Sequence, residues 1–346
     1  MGRISGADAK IGLKKSPIFG IELPLGANDA VCHEGFDWDN TSETIEPASL
    51  GCGLAMKQDV IKGALSTTVN LPTDLKFDGV SQTILQMLMG GEETPSEQTS
   101  GQGDYLHRFI YDASRPHAVI GAQATDGDTV VFPASFATGI SLSVDSYPNK
   151  VSLVADFIAN DRKKDSAINN FAQLENLTEL PSNIVIAQRD TTLRINERDG
   201  AALAAGDNVA HSGITLNLTR AMENTNDADG VGAGTRPKSV GQFEGTLDVT
   251  FSGLEDLDYF TAFDDDVIHK CSLVIEGVQI GTGLNESFSV FLPAIKLNSE
   301  PDYSLSDAGE NPMSLSFDIL GAVVVPSGMA SQLPYFETIN SRSAAY

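Results

Sequence analysis

Residues 151–158 and 313–320 read VSLVADFI and MSLSFDIL, with Ser152, Leu153 and Asp156 in register with Ser314, Leu315 and Asp318. Within each stretch apolar and polar residues alternate, the period-two pattern of a strand with one buried face. A chain that writes the same amphipathic strand twice is constrained to build the same sheet twice. Three further matches occur in the same order. Residues 63–69 (GALSTTV) match 245–251 (GTLDVTF), setting Leu65, Thr67 and Val69 against Leu247, Val249 and Phe251. Residues 106–108 (LHR) match 268–270 (IHK), and 132–134 (FPA) match 292–294 (LPA). The extra length of the first half falls at 90–104, whose polar, Gly- and Ser-containing composition predicts a loop.

The spaces between these strands fit the same plan. Glycine and proline, 32 and 15 residues, punctuate short alternating segments throughout, which predicts a mainly β fold. One helix is predicted over 77–89, where Phe77, Val80, Ile84, Met87 and Leu88 make one apolar stripe. Asp78 is its expected N-cap and Gly90–Gly91 its stop. A second helical segment is predicted at 254–263, after the second copy of the strand. Each half also carries a long connection between its first two strands, at about 44–60 and about 222–240. Connections of that length in compact domains are usually functional or disordered. The expected organisation is an N-terminal arm (1–34), a first β-sandwich domain (35–165), a linker (166–190), a second β-sandwich domain (191–325) and a C-terminal arm (326–346).

The charge balance bounds the partners. With 22 Lys+Arg against 47 Asp+Glu the net charge is −25. Such a surface repels phosphate, so DNA can pass it without binding stably. No basic patch interleaved with aromatics is present. The three cysteines, Cys32, Cys52 and Cys271, are odd in number and form no CxxC pair, as in a chain kept in a reducing cytosol. Residues 1–15 show no apolar signal core, and the longest apolar run, 319–325, is too short to span a bilayer. Membrane insertion is therefore not expected.

No motif carries catalysis. The histidines His33, His107, His117, His211 and His269 show no metal-ligand spacing, and no GxSxG elbow occurs. His107 and His269 fall at matching repeat positions, which fits packing or an interface better than chemistry. The glycine-rich 230–234 (GVGAG) is followed by Pro237 and reads as a loop rather than a phosphate cradle. In 225–230 (TNDADG), Thr225 and Arg236 stand where a calcium loop needs carboxylates. The run Asp264–Asp266 reads as a solvated helix end. The expectation is a chain with no catalytic residue, no cofactor and no metal.

The opening AKIGLKKSPIFG (9–20), the strand–long loop–strand–helix unit and the later strand with an F/L-P-A step together resemble the phage tail tube family, over nearly the whole chain. The resemblance implies two tandem tail-tube-like β-sandwich domains, each with a flanking α-helix and a long inter-strand loop. It implies inner sheets joined between neighbours into a barrel, and rings stacked into a tube that conducts viral DNA. Implied partners are copies of itself, a tape measure protein, a tail terminator and baseplate proteins, with double-stranded DNA passing transiently. The implied location is the virion tail, with assembly in the host cytoplasm. Two domains per chain predict trimeric, pseudo-sixfold rings. The polar strand faces, Ser66, Thr68 and Asn70 with Asp248, Thr250 and Ser252, are the expected lumen lining. The long loops supply the expected inter-ring contacts: Glu46, Pro47, Leu50, Met56, Asp227, Asp229 and Arg236. Phe19, Tyr335, Phe336 and Tyr346 are expected as exposed anchors on neighbours. Two other readings stay open. A binding module, such as an adhesin or another tail or baseplate component, needs clustered aromatics, whereas the single tryptophan, Trp38, lies in a predicted strand. An enzyme built on a carboxylate pair has no motif.

Overall fold

The computed structural model describes residues 8–45, 61–124, 127–144, 150–178, 190–224, 236–251, 258–281, 283–303 and 313–346. The chain is mainly β. Its first half contains β1 (Ile11–Ser16), β2 (Asp37–Ile45), β3 (Ile61–Asp74), helix α1 (Val80–Met89), β4 (Gly90–Glu92), β5 (Ser96–Glu97), β6 (Tyr105–Tyr111), β7 (His117–Gln123), β8 (Thr129–Val144), β9 (Val151–Ala159), β10 (Lys163–Lys164) and the short helix α2 (Phe171–Glu175). The second half contains β11 (Thr191–Glu197), β12 (Asn208–Val209), β13 (Gly213–Glu223), β14 (Lys238–Phe251), α3 (Asp258–Asp264), β15 (Ile268–Gly281), β16 (Leu284–Leu297), β17 (Asp302–Tyr303), β18 (Met313–Leu320) and β19 (Tyr335–Asn340).

The ladders repeat. In the first half β2 pairs with β3, β3 with β9, β9 with β8, β8 with β7, and β7 with β1, all antiparallel. In the second half β13, β14, β18, β16, β15 and β11 pair in the same succession. A further ladder, Ile214–Thr219 of β13 against Gly139–Val144 of β8, fuses the two sets edge to edge. The result is one continuous sheet in the order β2-β3-β9-β8-β13-β14-β18-β16.

Alternation decides which face of this sheet is buried. Val69, Leu71, Leu153, Ala155, Ile140, Leu142, Leu216, Leu218, Leu247, Val249, Leu315 and Phe317 point to one side and are each 3% exposed or less. They belong to a single apolar cluster that also takes in residues of α1, β6, β7, β15 and β19. Burying each such Leu or Phe contributes about 1.5–3 kcal/mol. The two sets of ladders share this core, and the first takes in β1, outside the expected bounds 35–165.

Helix α1 starts later than the apolar stripe suggests. Its N-cap is Gly79, with no side-chain cap, because Asp78 is engaged elsewhere: its Oδ1 accepts the Gly79 N–H at 2.6 Å and the Tyr346 hydroxyl at 2.6 Å. Gly90 ends the helix in the left-handed region, φ +90°, where a side chain would run into the Asp112 and Ser114 carbonyls.

Several expectations are corrected. The N-terminal segment is not a free arm over Ile11–Ser16, which pairs with β7 from Ile11–Ala122 to Ser16–His117. Nor is the C-terminal segment, since β19 pairs with both β16 and β6 and so stitches the halves together. Tyr335, Phe336 and Tyr346 are buried at 2%, 1% and 6% exposure, and Phe19 packs on Phe136 and His117. These aromatics serve the chain's own core. The linker is docked up to residue 178, with Leu174 and Leu177 packed on Leu25. The polar stretch 90–104 is pinned to β6 by β4 and β5.

The ladder registers also revise three of the four sequence matches. With Asp156 and Asp318 as equivalent, their partners on β3 and β14 are Asn70 and Thr246. Residues 69–75, not 63–69, therefore stand where 245–251 stand. The slip is six residues, an even number, which leaves every side chain on its expected face. For the same reason 134–136, not 132–134, take the place of 292–294. Residues 106–108 lie in β6 beside β19, whereas 268–270 lie in β15 beside β11, the place of β7. His107 and His269 are not equivalent.

Candidate functional site

The side of the joined sheet that faces away from the core is polar across all eight strands. Ladder rungs align Asp37, Asn70, Asp156 and Gly139 across the first repeat, and Asn217, Thr246, Asp318 and Lys296 across the second. Ser66, Thr68 and Asn70 lie on this face of β3, and Asp248 and Thr250 on the same face of β14, each at least partly exposed. Ser252 lies outside the described residues. The side chains bind one another: Asn70 Nδ2 donates to Asp156 Oδ1 at 2.8 Å, Ser316 Oγ to Asp248 Oδ1 at 2.6 Å, and Asn298 Nδ2 to Asp318 Oδ1 at 3.1 Å. A shallow cleft of about 350 Å³ opens on it beside Asp37, Asp39, Asn70 and Asp156. At the pole where β3 enters helix α1, Lys150 bridges Asp74, at 2.7 Å, and Glu34. Hydrogen bonds to those two carboxylates raise its pKa. The face is largely short-chained and acidic, and Lys296 on it is paired with Asp266 at 2.8 Å, which leaves it little cationic hold for phosphate.

The junction inside the chain is dry on its other side. Leu216 and Leu218 of β13 are each 1% exposed against Ile140 and Leu142 of β8. Gly139 ends this ladder, and a side chain there would sit 3.3 Å from the Leu218 carbonyl. Next to the junction, buried Arg220 reaches from β13 to the end of α1. Its Nη1 donates to Leu88 O at 3.2 Å and its Nη2 to Asp112 O at 3.0 Å, with the Tyr111 ring 5.3 Å away.

The outer edges of the joined sheet lack such partners among the described residues. Among the described residues β2 pairs only with β3, and β17 only with β18. Trp38 of β2 is 37% exposed, beside Phe36 and Phe132.

Of the expected inter-ring residues, Glu46, Pro47, Leu50, Met56, Asp227 and Asp229 lie outside the described residues. Arg236 is exposed; its Nη2 donates to Arg115 O at 3.0 Å and its guanidinium lies 6.0 Å from the Phe136 ring. The histidines are held in packing roles. His107 is buried between Glu92 Oε1, 2.9 Å, and Arg342 O, 2.8 Å. Burial lowers the pKa of His117, His211 and His269, and burial raises that of the Cys271 thiol. Among the described residues no three His, Cys, Asp or Glu side chains gather as a metal site. No helix among the described residues is long and apolar enough to cross a membrane.

The junction residues were not singled out by sequence. GISLSV (139–144) and GITLNLT (213–219) carry the same Gly-Ile-x-Leu rhythm, which marks both as strands but does not state that they pair. Compared with known proteins, the chain matches no family model and no curated sequence.

Proposed function

We propose that this chain is a non-catalytic structural subunit of a phage tail tube, whose rings stack around a channel that conducts viral DNA. The observation that carries the reading is the edge-to-edge fusion of two equivalent sheets by the β8–β13 ladder, with one acidic face and two open outer edges. Open edges are completed by pairing with another chain. A head-to-tail contact of this kind closes into a ring when its rotation permits.

The dimensions suit the task. Each chain offers eight strands, so three chains would close a barrel of about 24 strands. With strands about 4.8 Å apart and tilted about 40°, the backbone diameter is roughly 48 Å, which leaves a channel wide enough for a DNA duplex. With the apolar side packed into the protein, the acidic face lines that channel and repels the phosphates that pass it. Three chains of two repeats give a threefold, pseudo-sixfold ring. A tape measure protein, a tail terminator and baseplate proteins are the partners such a tube requires, and the virion tail is its location.

Negative-stain microscopy of the purified chain at high concentration tests this. Annular particles or stacked tubes with a central channel are expected; dispersed compact monomers would refute it.

A further inference from the structure

The ladder that joins the two repeats is also the template for the contact between chains. Asp156 and Asp318, with Ser152 and Ser314, serve as fiducials. Asn70 and Thr246 lie opposite the two aspartates, and their next partners are Asp37 of β2 and Asn217 of β13. Strand β2 therefore stands where β13 stands. On the other side, Gly139 and Lys296 lie opposite the same aspartates, and Ser143 and Asp302 lie opposite Ser152 and Ser314. The β16–β17 edge therefore stands where β8 stands. The two edges open among the described residues are the two halves of the junction that the molecule closes internally.

Exposure follows the same correspondence. Leu218 is 1% exposed in the closed junction, and Trp38, which takes its place in β2, is 37% exposed. Strand β15 already covers the edge of β16 as far as Lys296, which pairs with Ile268. The edge open to a second chain begins at Leu297.

We propose that the β2 edge of one copy pairs antiparallel with the Leu297–Tyr303 edge of a second copy, with Trp38 opposite Leu297, Asp37 opposite Asn298, Gly35 opposite Asp302 and Glu34 opposite Tyr303. The assignment rests on the tube-subunit reading and fixes its register. The four rungs copy Leu218–Ile140, Asn217–Ser141, Thr215–Ser143 and Ile214–Val144. Ser299–Pro301 stands opposite Phe36 as a bulge, the position in an edge strand where a residue without an N–H is tolerated. The contact covers Trp38 with the neighbour's strand.

Paired cysteines test the register. Asp37 and Asn298 are both exposed. Directly opposite residues in an antiparallel pair have Cβ atoms about 4.5–5.5 Å apart, within reach of a disulfide after small adjustment, whereas diagonal neighbours stand about 7–8 Å apart. The full-length Asp37→Cys/Asn298→Cys variant, oxidised after assembly, is expected to place more than half of the chain in covalent multimers on a denaturing gel. The shifted pair Asp39→Cys/Asn298→Cys is expected to give at least tenfold less, and each single variant likewise. Preferential cross-linking of the shifted pair would overturn the register. Rings seen by sedimentation with neither pair cross-linked would overturn it too, while leaving ring formation intact. A wild-type chain that sediments only as a monomer would overturn the tube reading and this inference together.

Discussion

Arg220 offers the most direct probe of how the two repeats are held as one body. It projects from β13 of the second repeat, is 3% exposed, and donates to the Leu88 carbonyl at the end of α1 and to the Asp112 carbonyl just after β6, both in the first. Burial lowers its pKa, so the guanidinium gives up hydration to make these bonds. A hydrogen bond from a charged donor contributes roughly 1.5–3 kcal/mol, and removing the donor leaves the buried Leu88 carbonyl without that partner. One buried bond and one part-exposed bond set the expected loss for Arg220→Ala at roughly 2–4 kcal/mol. Arg220→Lys retains a charge but not the fork that spans both carbonyls, and is expected to lose about half as much. Urea unfolding followed by the fluorescence of Trp38, which lies in the opposite repeat, reads the effect across the junction. A loss below about 1 kcal/mol for Arg220→Ala, or a lysine variant no better than alanine, would refute this account of the junction.

Three other outcomes follow from the same structure. Gly277 of β15 faces the ring of Phe77, and a methyl there would collide with it; Gly277→Ala is expected to cost about 1–3 kcal/mol in thermal or urea melts, and an unchanged midpoint would contradict that packing. Burial lowers the pKa of His117, His211 and His269, so the unfolded chain binds more protons as pH falls through the ordinary histidine range. Stability is expected to rise from about pH 5 to about pH 7 and then level, with a smaller rise in His117→Phe; an equal slope in that variant would count against the assignment. Chains of net charge −25 repel one another, so raising salt from about 0.05 to 0.5 M is expected to promote ring formation in sedimentation velocity, and assembly weakened by salt would argue for cationic contacts instead.

The faces of the strands were legible in the sequence because parity is robust. A six-residue slip in matching 245–251 still put Thr68 and Asp248 on the exposed side and Val69 and Leu247 on the buried one. Which strands pair was not legible, because alternation writes the face and not the neighbour. GISLSV and GITLNLT advertise two amphipathic strands, yet their fusion depends on where the rest of the chain delivers them. The ends were misread for a related reason. Tyr335 and Tyr346 look exposed when placed after a presumed domain boundary, but β19 fills a gap between β16 and β6 that no local pattern announces. Asp78 has the composition of an N-cap, and only the distant Tyr346 hydroxyl explains why it does not cap α1. The polar edge at β2 was half legible: Trp38 was placed in a strand, but its exposure emerges only beside its buried counterpart Leu218.

Native mass spectrometry of the assembled protein asks most directly whether identical neighbours complete the open borders of the joined sheet. For a chain of 36.7 kDa, a discrete closed species of three chains, and multiples of it from stacked rings, is the predicted spectrum. A spectrum of single chains, or an open series of lengths with no preferred closure, would contradict it.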